Sequence, residues 1–277
     1  MESRSPSAES IAQYTATDRL SARIALHRDY STSPIHWHRW LLEQMELPRE
    51  AAVLDIGCGT GEVWRANADP LPPWAGRGLR PLLAPASWRV TLSDQSAAMA
   101  EGTAAALASL GAFTGHVDDI QALSFADASF DGVLACHMLY HVPDIAQGIS
   151  ELRRVLRPGG VLYAATNGHE HMQAMLDMIG ELDPGVDTTH SGYRFTLENG
   201  EAPLRAAFDS VELRVFDDSL RVTHPQPLLD YILSMALPFR RLKTAEGQAA
   251  AFAYIQRRIE ATGAIDIGKR SGVFVCR

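Results

Sequence analysis

The chain has 277 residues, 46% hydrophobic and 21% charged, with a formal net charge of -8, which supports a sizeable folded core and excludes wholesale disorder. No long Lys/Arg run stands out, Arg153-Arg154 with Arg157 being one short cluster, so a small-molecule partner is expected and a nucleic acid is not. Three scattered cysteines, Cys58, Cys136 and Cys276, argue against a disulfide framework or structural zinc, and no apolar stretch reaches the ~18–20 residues of a membrane span.

Residues 1–8 are rich in Ser, Glu and Pro and carry no apolar signal core, so they read as a disordered start to a cytoplasmic protein. Residues 9–47 read as helical, broken near Ser31-Thr32-Ser33-Pro34 and ended by Pro48. Ala51 to Ile56 is a short apolar strand, followed by glycines and a helix from about Thr60. Asp69 to Ser87 holds five prolines and Trp74, which forbids a long regular element; it is an insertion, read as a packed surface excursion or else as a pocket lid or subunit contact. Then follow a strand (Trp88 to Ser93), a helix (Ser96 to Leu110), a short strand (Ala112 to His116), a strand (Phe130 to Cys136), a helix (Ile145 to Leu156) and a strand (Val161 to Thr166). Alternation of this kind predicts a mostly parallel sheet covered on both faces. Further on, helices are expected over His169 to Glu181, Thr196 to Phe208, Leu228 to Leu237 and Glu246 to Ala261, with strands over Val211 to Phe216 and Ile265 to Cys276.

The chemistry is concentrated in Val53-Leu54-Asp55-Ile56-Gly57-Cys58-Gly59-Thr60-Gly61. A strand delivers an acid, and glycines at alternate positions let the backbone turn sharply and approach a ligand with no Cβ in the way. The helix N-terminus that follows is expected to add unpaired N–H groups and a positive dipole end. Dinucleotide enzymes space their glycines G-x-G-x-x-G instead. A second strand, Val90-Thr91-Leu92-Ser93-Asp94, also ends in an acid, which either accepts ribose hydroxyls or caps the next helix.

The nine-residue glycine string resembles the first motif of the class I S-adenosylmethionine-dependent methyltransferases, within a bacterial small-molecule subgroup. Later segments resemble the family in the same order: Val117-Asp118-Asp119-Ile120 with Leu123-Ser124-Phe125, Ser129-Phe130-Asp131, Ala135-Cys136-His137-Met138-Leu139-Tyr140-His141-Val142-Pro143-Asp144, and Leu156-Arg157-Pro158-Gly159-Gly160. Ser124 stands where the family usually has proline. The resemblance implies S-adenosyl-L-methionine as cofactor. It implies contacts from Asp55, Gly57, Cys58, Gly59, Gly61, Asp94, Gln95, Met99, Asp119, Ile120, Cys136 and His137. In that scheme Asp119 accepts the adenine amino group, with Asp118 a competitor, and the Ile120 N–H faces a ring nitrogen. Tyr30 to Pro34, Trp37, Trp40, Trp64 and the closing Ser271-Gly272-Val273-Phe274-Val275 carry the subgroup resemblance.

An activated methyl group needs mainly a nucleophile held in line, and often a general base. His137, His141 and Tyr140 are the catalytic candidates. The two histidines stand four apart, one face of a helix if the segment is helical; with no acidic ligand evident, no metal is expected. His36, His38, Trp37, Trp40, Tyr14 and Tyr30 read as core or as contacts near the cofactor, and His190, Tyr193 and Arg194 as a loop on the substrate side.

These readings combine into a Rossmann-like α/β fold: a doubly wound seven-stranded sheet, mostly parallel with an antiparallel last strand, plus a helical cap. Residues 1–50 are expected to form an N-terminal helical cap, and 51–277 the cofactor domain, with the Pro-rich insertion 69–87 and cap insertions at about 169–205 and 224–262. The cap is expected to roof the site. The expected reaction is methyl transfer to an O, N or C atom of a small-molecule acceptor; the alternative is a non-methylating cyclisation or rearrangement on the same fold. No nucleic acid and no membrane are expected as partners, and a homodimer is left open.

Overall fold

The computed structural model describes residues 22–68, 81–82, 85, 87–189, 194–235 and 237–277. Most of the Pro-rich insertion lies outside the described residues, as do Tyr14, His190 and Tyr193. The chain divides into two compact units, a larger one of Pro34–His171, His190–Asp217 and Arg270–Arg277, and a smaller one of Met1–Ser33, Met172–Thr189 and Asp218–Lys269.

The elements in chain order are α1 (residues 22–30), α2 (Trp37–Glu43), β1 (Ala52–Ile56), α3 (Glu62–Arg65), β2 (Arg89–Asp94), α4 (Ala97–Leu107), β3 (Ala112–Val117) and β4 (Phe130–Cys136). After them come α5 (Ile145–Val155), β5 (Leu156–Asn167), α6 (Gln173–Leu182), α7 (Glu201–Arg205), β6 (Val211–Val222), α8 (Pro225–Ser234), α9 (Ala245–Thr262) and β7 (Ile265–Cys276). The seven strands lie in the order β3-β2-β1-β4-β5-β7-β6. β1 pairs in parallel with β2 and β4, placing Asp55 opposite Leu92 and Leu134. β2 with β3 and β4 with β5 are also parallel, whereas β7 runs antiparallel to β5.

Alternation along these strands explains the layers of the larger unit. Val53, Leu134, Tyr163 and Val275 point to one face and pack with Leu41 and Leu42 of α2, Trp64 of α3 and Leu107 of α4. Leu54, Val133, Leu162 and Phe274 point to the other and pack with Ile149 and Leu152 of α5. Both faces are therefore dry, as a parallel sheet requires. Asp131 anchors the strand starts: one oxygen accepts from the Ala52 N–H at 2.8 Å and the other pairs with Arg157 at 2.6 Å. The smaller unit has its own core, built from Leu26, Met175, Ile179, Leu228, Ile232, Ile255 and Ile267. There Asp218 is buried and paired with Lys269, and it also accepts from the Ser31 hydroxyl at 2.6 Å and the Ser33 N–H at 3.0 Å.

Several elements differ from the sequence reading. Thr196 to Phe208 holds only the helix Glu201–Arg205. The Thr196 hydroxyl accepts from the N–H groups of Glu198 and Asn199, and the Asn199 side chain accepts from the Thr196 N–H, a local competition that takes these donors out of a helix. The helix expected from His169 begins at Gln173, because Met172 sits at φ 61. β6 runs on through Asp217 and Asp218 to Val222, since Asp218 finds its charge partner in β7.

Candidate functional site

The order of strands reverses between β1 and β4, and in an open α/β sheet ligands bind beyond the carboxyl ends of the strands at such a switch point. Two turns meet there: the glycine turn after β1 and the segment after β4. Gly57, Gly59 and Gly61 all have positive φ, at 68°, 51° and 72°. Their Cβ space differs. A Cβ on Gly57 meets the Met138 Cβ at 2.8 Å, and one on Gly61 meets the Thr103 Cγ2 at 2.6 Å, whereas one on Gly59 meets nothing within 4 Å. Gly57 and Gly61 are thus glycines for packing, and Gly59 opens into space.

The turn is tied to β2. The N–H groups of Gly57 and Cys58 donate to the Ser93 carbonyl at 2.7 and 3.1 Å, and the Gly59 N–H donates to Asp94 Oδ2 at 3.2 Å. The Thr103 hydroxyl donates to the Gly59 carbonyl at 2.7 Å. Helix α3 is only four residues long, too short for the dipole effect that the sequence reading assigned to it; side chains, rather than a helix end, have to carry recognition.

Asp55 is buried, 2% exposed. Its Oδ2 accepts from the Trp64 indole N–H at 2.7 Å, while its Oδ1 is shielded from solvent and has no protein partner. Burial pushes the carboxyl up to about 7, against the lowering effect of Trp64, and the charge of Asp94 adds to the rise. On the neighbouring strand the Ser93 hydroxyl, in register with Ile56 rather than Asp55, is likewise shielded without a partner. An unpaired buried polar atom costs about 1–3 kcal/mol, so the free oxygen of Asp55 at the end of the central strand marks a place where something else binds.

Asp94 accepts from Gly59 with one oxygen and from the Ser96 N–H with the other, at 3.0 Å. The N-cap of α4 is Ser96, whose hydroxyl accepts from Met99, so Asp94 is not the helix cap. Gln95 is exposed and Met99 half-buried on the first turn of α4. At the end of β3, Asp118 is used internally: it accepts from both the N–H and the hydroxyl of Ser124 at 2.9 Å. Asp119 caps the 3-10 turn Ile120–Ala122 through the Gln121 N–H at 2.9 Å. The serine that replaces proline thus works as the partner of Asp118.

After β4, Cys136 and His137 face the glycine turn's side of the switch point. The thiols of Cys58 and Cys136 are both pushed well above the ordinary cysteine range, mainly by burial, and so remain neutral and unreactive. His137 holds a left-handed backbone, φ 54, with its N–H donating to Ala165 at 3.0 Å. Its Nδ1 is shielded without a partner, and burial pulls the imidazole down to about 4. The Trp37 ring lies 5.3 Å from it, and Trp37 also stacks on Trp40 at 5.3 Å with Phe216 at 5.6 Å. Trp37 and Trp40 belong to the larger unit.

Tyr140 and His141 lie in the 3-10 turn Leu139–His141. Their rings are 4.5 Å apart, with Tyr140 half-buried and His141 exposed. His137 precedes that turn in a different backbone conformation, so the two histidines do not share a helix face, contrary to the helical spacing considered from sequence. Among the described residues no group of three or more His, Cys, Asp or Glu is arranged to hold a metal ion, and no helix is long and apolar enough to cross a membrane. Sequence reasoning missed Ser93, Thr103 and the bond from Trp64 to Asp55. The last had a signal, since a tryptophan three residues beyond the final glycine must find a partner for its N–H if buried.

Residues 73–164 match the family described as a methyltransferase domain. A ubiquinone/menaquinone biosynthesis C-methyltransferase from Hahella chejuensis is 27% identical, over 79% of this chain and 80% of its own length. A 2-methyl-6-phytyl-1,4-hydroquinone methyltransferase from Synechocystis is 35% identical, but the match spans only 43% of this chain and 33% of that protein. A Bacillus halodurans structure assigned as a methyltransferase superposes with a TM-score of 0.57 at 18% identity, covering 87% of this chain and 98% of that one.

Proposed function

We propose that this chain, similar to methyltransferases in its domain match, its relatives and its fold, is a class I S-adenosylmethionine-dependent methyltransferase whose switch-point site binds S-adenosyl-L-methionine and directs methyl transfer to a small-molecule acceptor. The observation that carries this reading is the buried Asp55 with one oxygen unpartnered, beside the open space at Gly59. Asp55 suits a cationic amino group, which would draw out the carboxylate that burial otherwise disfavours. Gly59 leaves room for a backbone-close approach. In this reading Asp94 would take the ribose hydroxyls, and Asp119 with the Ile120 N–H the adenine edge. The bound cofactor supplies a methyl group already activated on a sulfonium.

The chain's own residues then have to orient an acceptor and exclude water. His137, neutral at pH 7 and with an unpartnered Nδ1, offers a hydrogen bond to an acceptor or cofactor atom; with its pKa near 4 it is a poor store for a proton. Tyr140 and His141 are the remaining candidates for a proton relay. The two relatives above are named for C-methyl transfer in quinone biosynthesis and for hydroquinone methylation, which supports phenolic and hydroquinone rings as the first acceptors to try.

The test is direct binding of S-adenosylmethionine and its demethylated product by calorimetry, followed by transfer of a labelled methyl group. Micromolar binding of both is expected. A protein that binds neither, while binding NAD, would sink the proposal; turnover with the label retained on the cofactor would replace methyl transfer by another reaction at the same site.

A further inference from the structure

Trp64 is a buried core residue, but packing alone would be served by an apolar ring of the same shape. What the indole adds is its N–H. The ring is held edge-on by Trp88, with centroids 6.5 Å apart at 85°, and by Phe113, 5.7 Å apart at 65°. Its side chain is 3% exposed, and the backbone of α3 is tied back by the Trp64 N–H to the Gly61 carbonyl at 3.1 Å. The indole is therefore fixed from two sides and from below, so the direction of its N–H is fixed too. That N–H meets Asp55 Oδ2 at 2.7 Å.

We propose that Trp64 is a positioning residue for cofactor binding: by pinning one oxygen of Asp55, it stops the carboxylate turning and leaves the other oxygen as the single acceptor for the cofactor's ammonium group. This rests on the reading of the switch-point site as the S-adenosylmethionine site. The chain of contacts runs from β3 and the start of β2 through the indole to the end of β1. Without the N–H, both Asp55 oxygens would be buried and unpaired, and the acid would keep its proton rather than face a cation.

The groups that face Asp55 make this dependence strong. Asp94 from the end of β2 repels its charge, and the thiols of Cys58 and Cys136, from the glycine turn and β4, are held neutral by burial. Trp64 is the neighbour that favours the ionised form. Binding of an ammonium ligand should therefore release a proton near neutral pH, and affinity should rise with pH through about 7, where burial places the Asp55 carboxyl.

The experiment titrates the full chain with S-adenosylhomocysteine by calorimetry from pH 6 to 8.5, in buffers of different ionisation enthalpy. The wild-type protein should bind more tightly as pH rises and release a proton. Trp64→Phe should weaken binding about tenfold at pH 7, as expected for a lost hydrogen bond to a charged group, and move the midpoint of the pH profile upward. Asp55→Asn should bind weakly with no pH dependence. Replacing Trp64 with benzothienylalanine keeps the shape of the ring and removes only the N–H, so it decides the matter if Trp64→Phe fails to fold. Unchanged affinity and an unchanged midpoint in a folded N–H-less variant, with Asp55→Asn impaired, would overturn the positioning role while leaving the cofactor reading intact. No binding by the wild-type protein would overturn both.

Discussion

The two turns at the switch point reach the same kind of backbone by opposite means. After β1, three glycines occupy positive φ at little steric cost. After β4, a histidine occupies it at φ 54, where a non-glycine residue carries strain on the order of 1–2 kcal/mol. The first turn removes side chains so that a ligand can lie against the main chain. The second keeps a side chain at a conformational cost, and that side chain has a shielded nitrogen with nothing to bind. One turn is a cradle and the other a wall, and the strain sits on the wall, where a specific atom has to be held.

The largest expected effect breaks the cradle. Gly59→Val should abolish detectable cofactor binding in calorimetry, because its new side chain projects into space empty of protein atoms and a branched residue at φ 51 also strains the turn that forms the cradle. Gly61→Ala should do the reverse: a Cβ 2.6 Å from Thr103 Cγ2 overpacks the core by about 1–3 kcal/mol, seen as a lower urea midpoint. If Gly59→Val binds normally, Gly59 does not line the site.

Next is the tie between the cradle and β2. Asp94→Ala should weaken cofactor binding by about 1.5–3 kcal/mol, the worth of a hydrogen bond to a charged group, and should weaken acceptor binding less. Equal cofactor affinity in the variant would reduce Asp94 to a brace for the Gly59 N–H.

The smaller effects concern protons, and the two turns should differ in sign. The pKa of His137 is depressed from 6.5 to about 4, so the unfolded chain binds the extra proton between those values; this contribution to stability is full above pH 6.5 and is lost as pH falls through 4. The pKa of Asp55 is raised from 3.8 to about 7, so the folded chain binds the extra proton; that contribution is full below pH 3.8 and is lost as pH rises through 7. The two slopes partly cancel in the wild-type protein. Urea denaturation should therefore show a flatter acid limb in His137→Asn, whose asparagine tolerates the left-handed backbone, and a ligand-free protein stabilised at pH 8 in Asp55→Asn. The same slope in both variants as in the wild type would mean that neither group is as dry as its surroundings imply.

Much of this molecule was written locally. The near-continuous apolar runs of Val53 to Ile56 and Phe130 to Cys136 mark those strands, because a strand buried on both faces needs apolar side chains on each. The spacing Gly57, Gly59, Gly61 fixes the turn, since each position needs φ above zero. Asp55 and Asp94 were legible for a related reason: an acid at the end of a buried strand is costly unless it has work to do. What no local pattern contains is the order of strands, which sets β4 beside β1 and so brings Met138 against Gly57 and makes a crevice. Local pattern also could not place His137, because its left-handed backbone follows from the hydrogen bond to Ala165 on the neighbouring strand rather than from any preference of histidine. Nor could it pair Trp64 with Asp55, nine positions earlier, since that bond exists only once Trp88 and Phe113 hold the indole. The geometry of these contacts, near or far in the chain, is set when the layers pack, so the tertiary structure decides them.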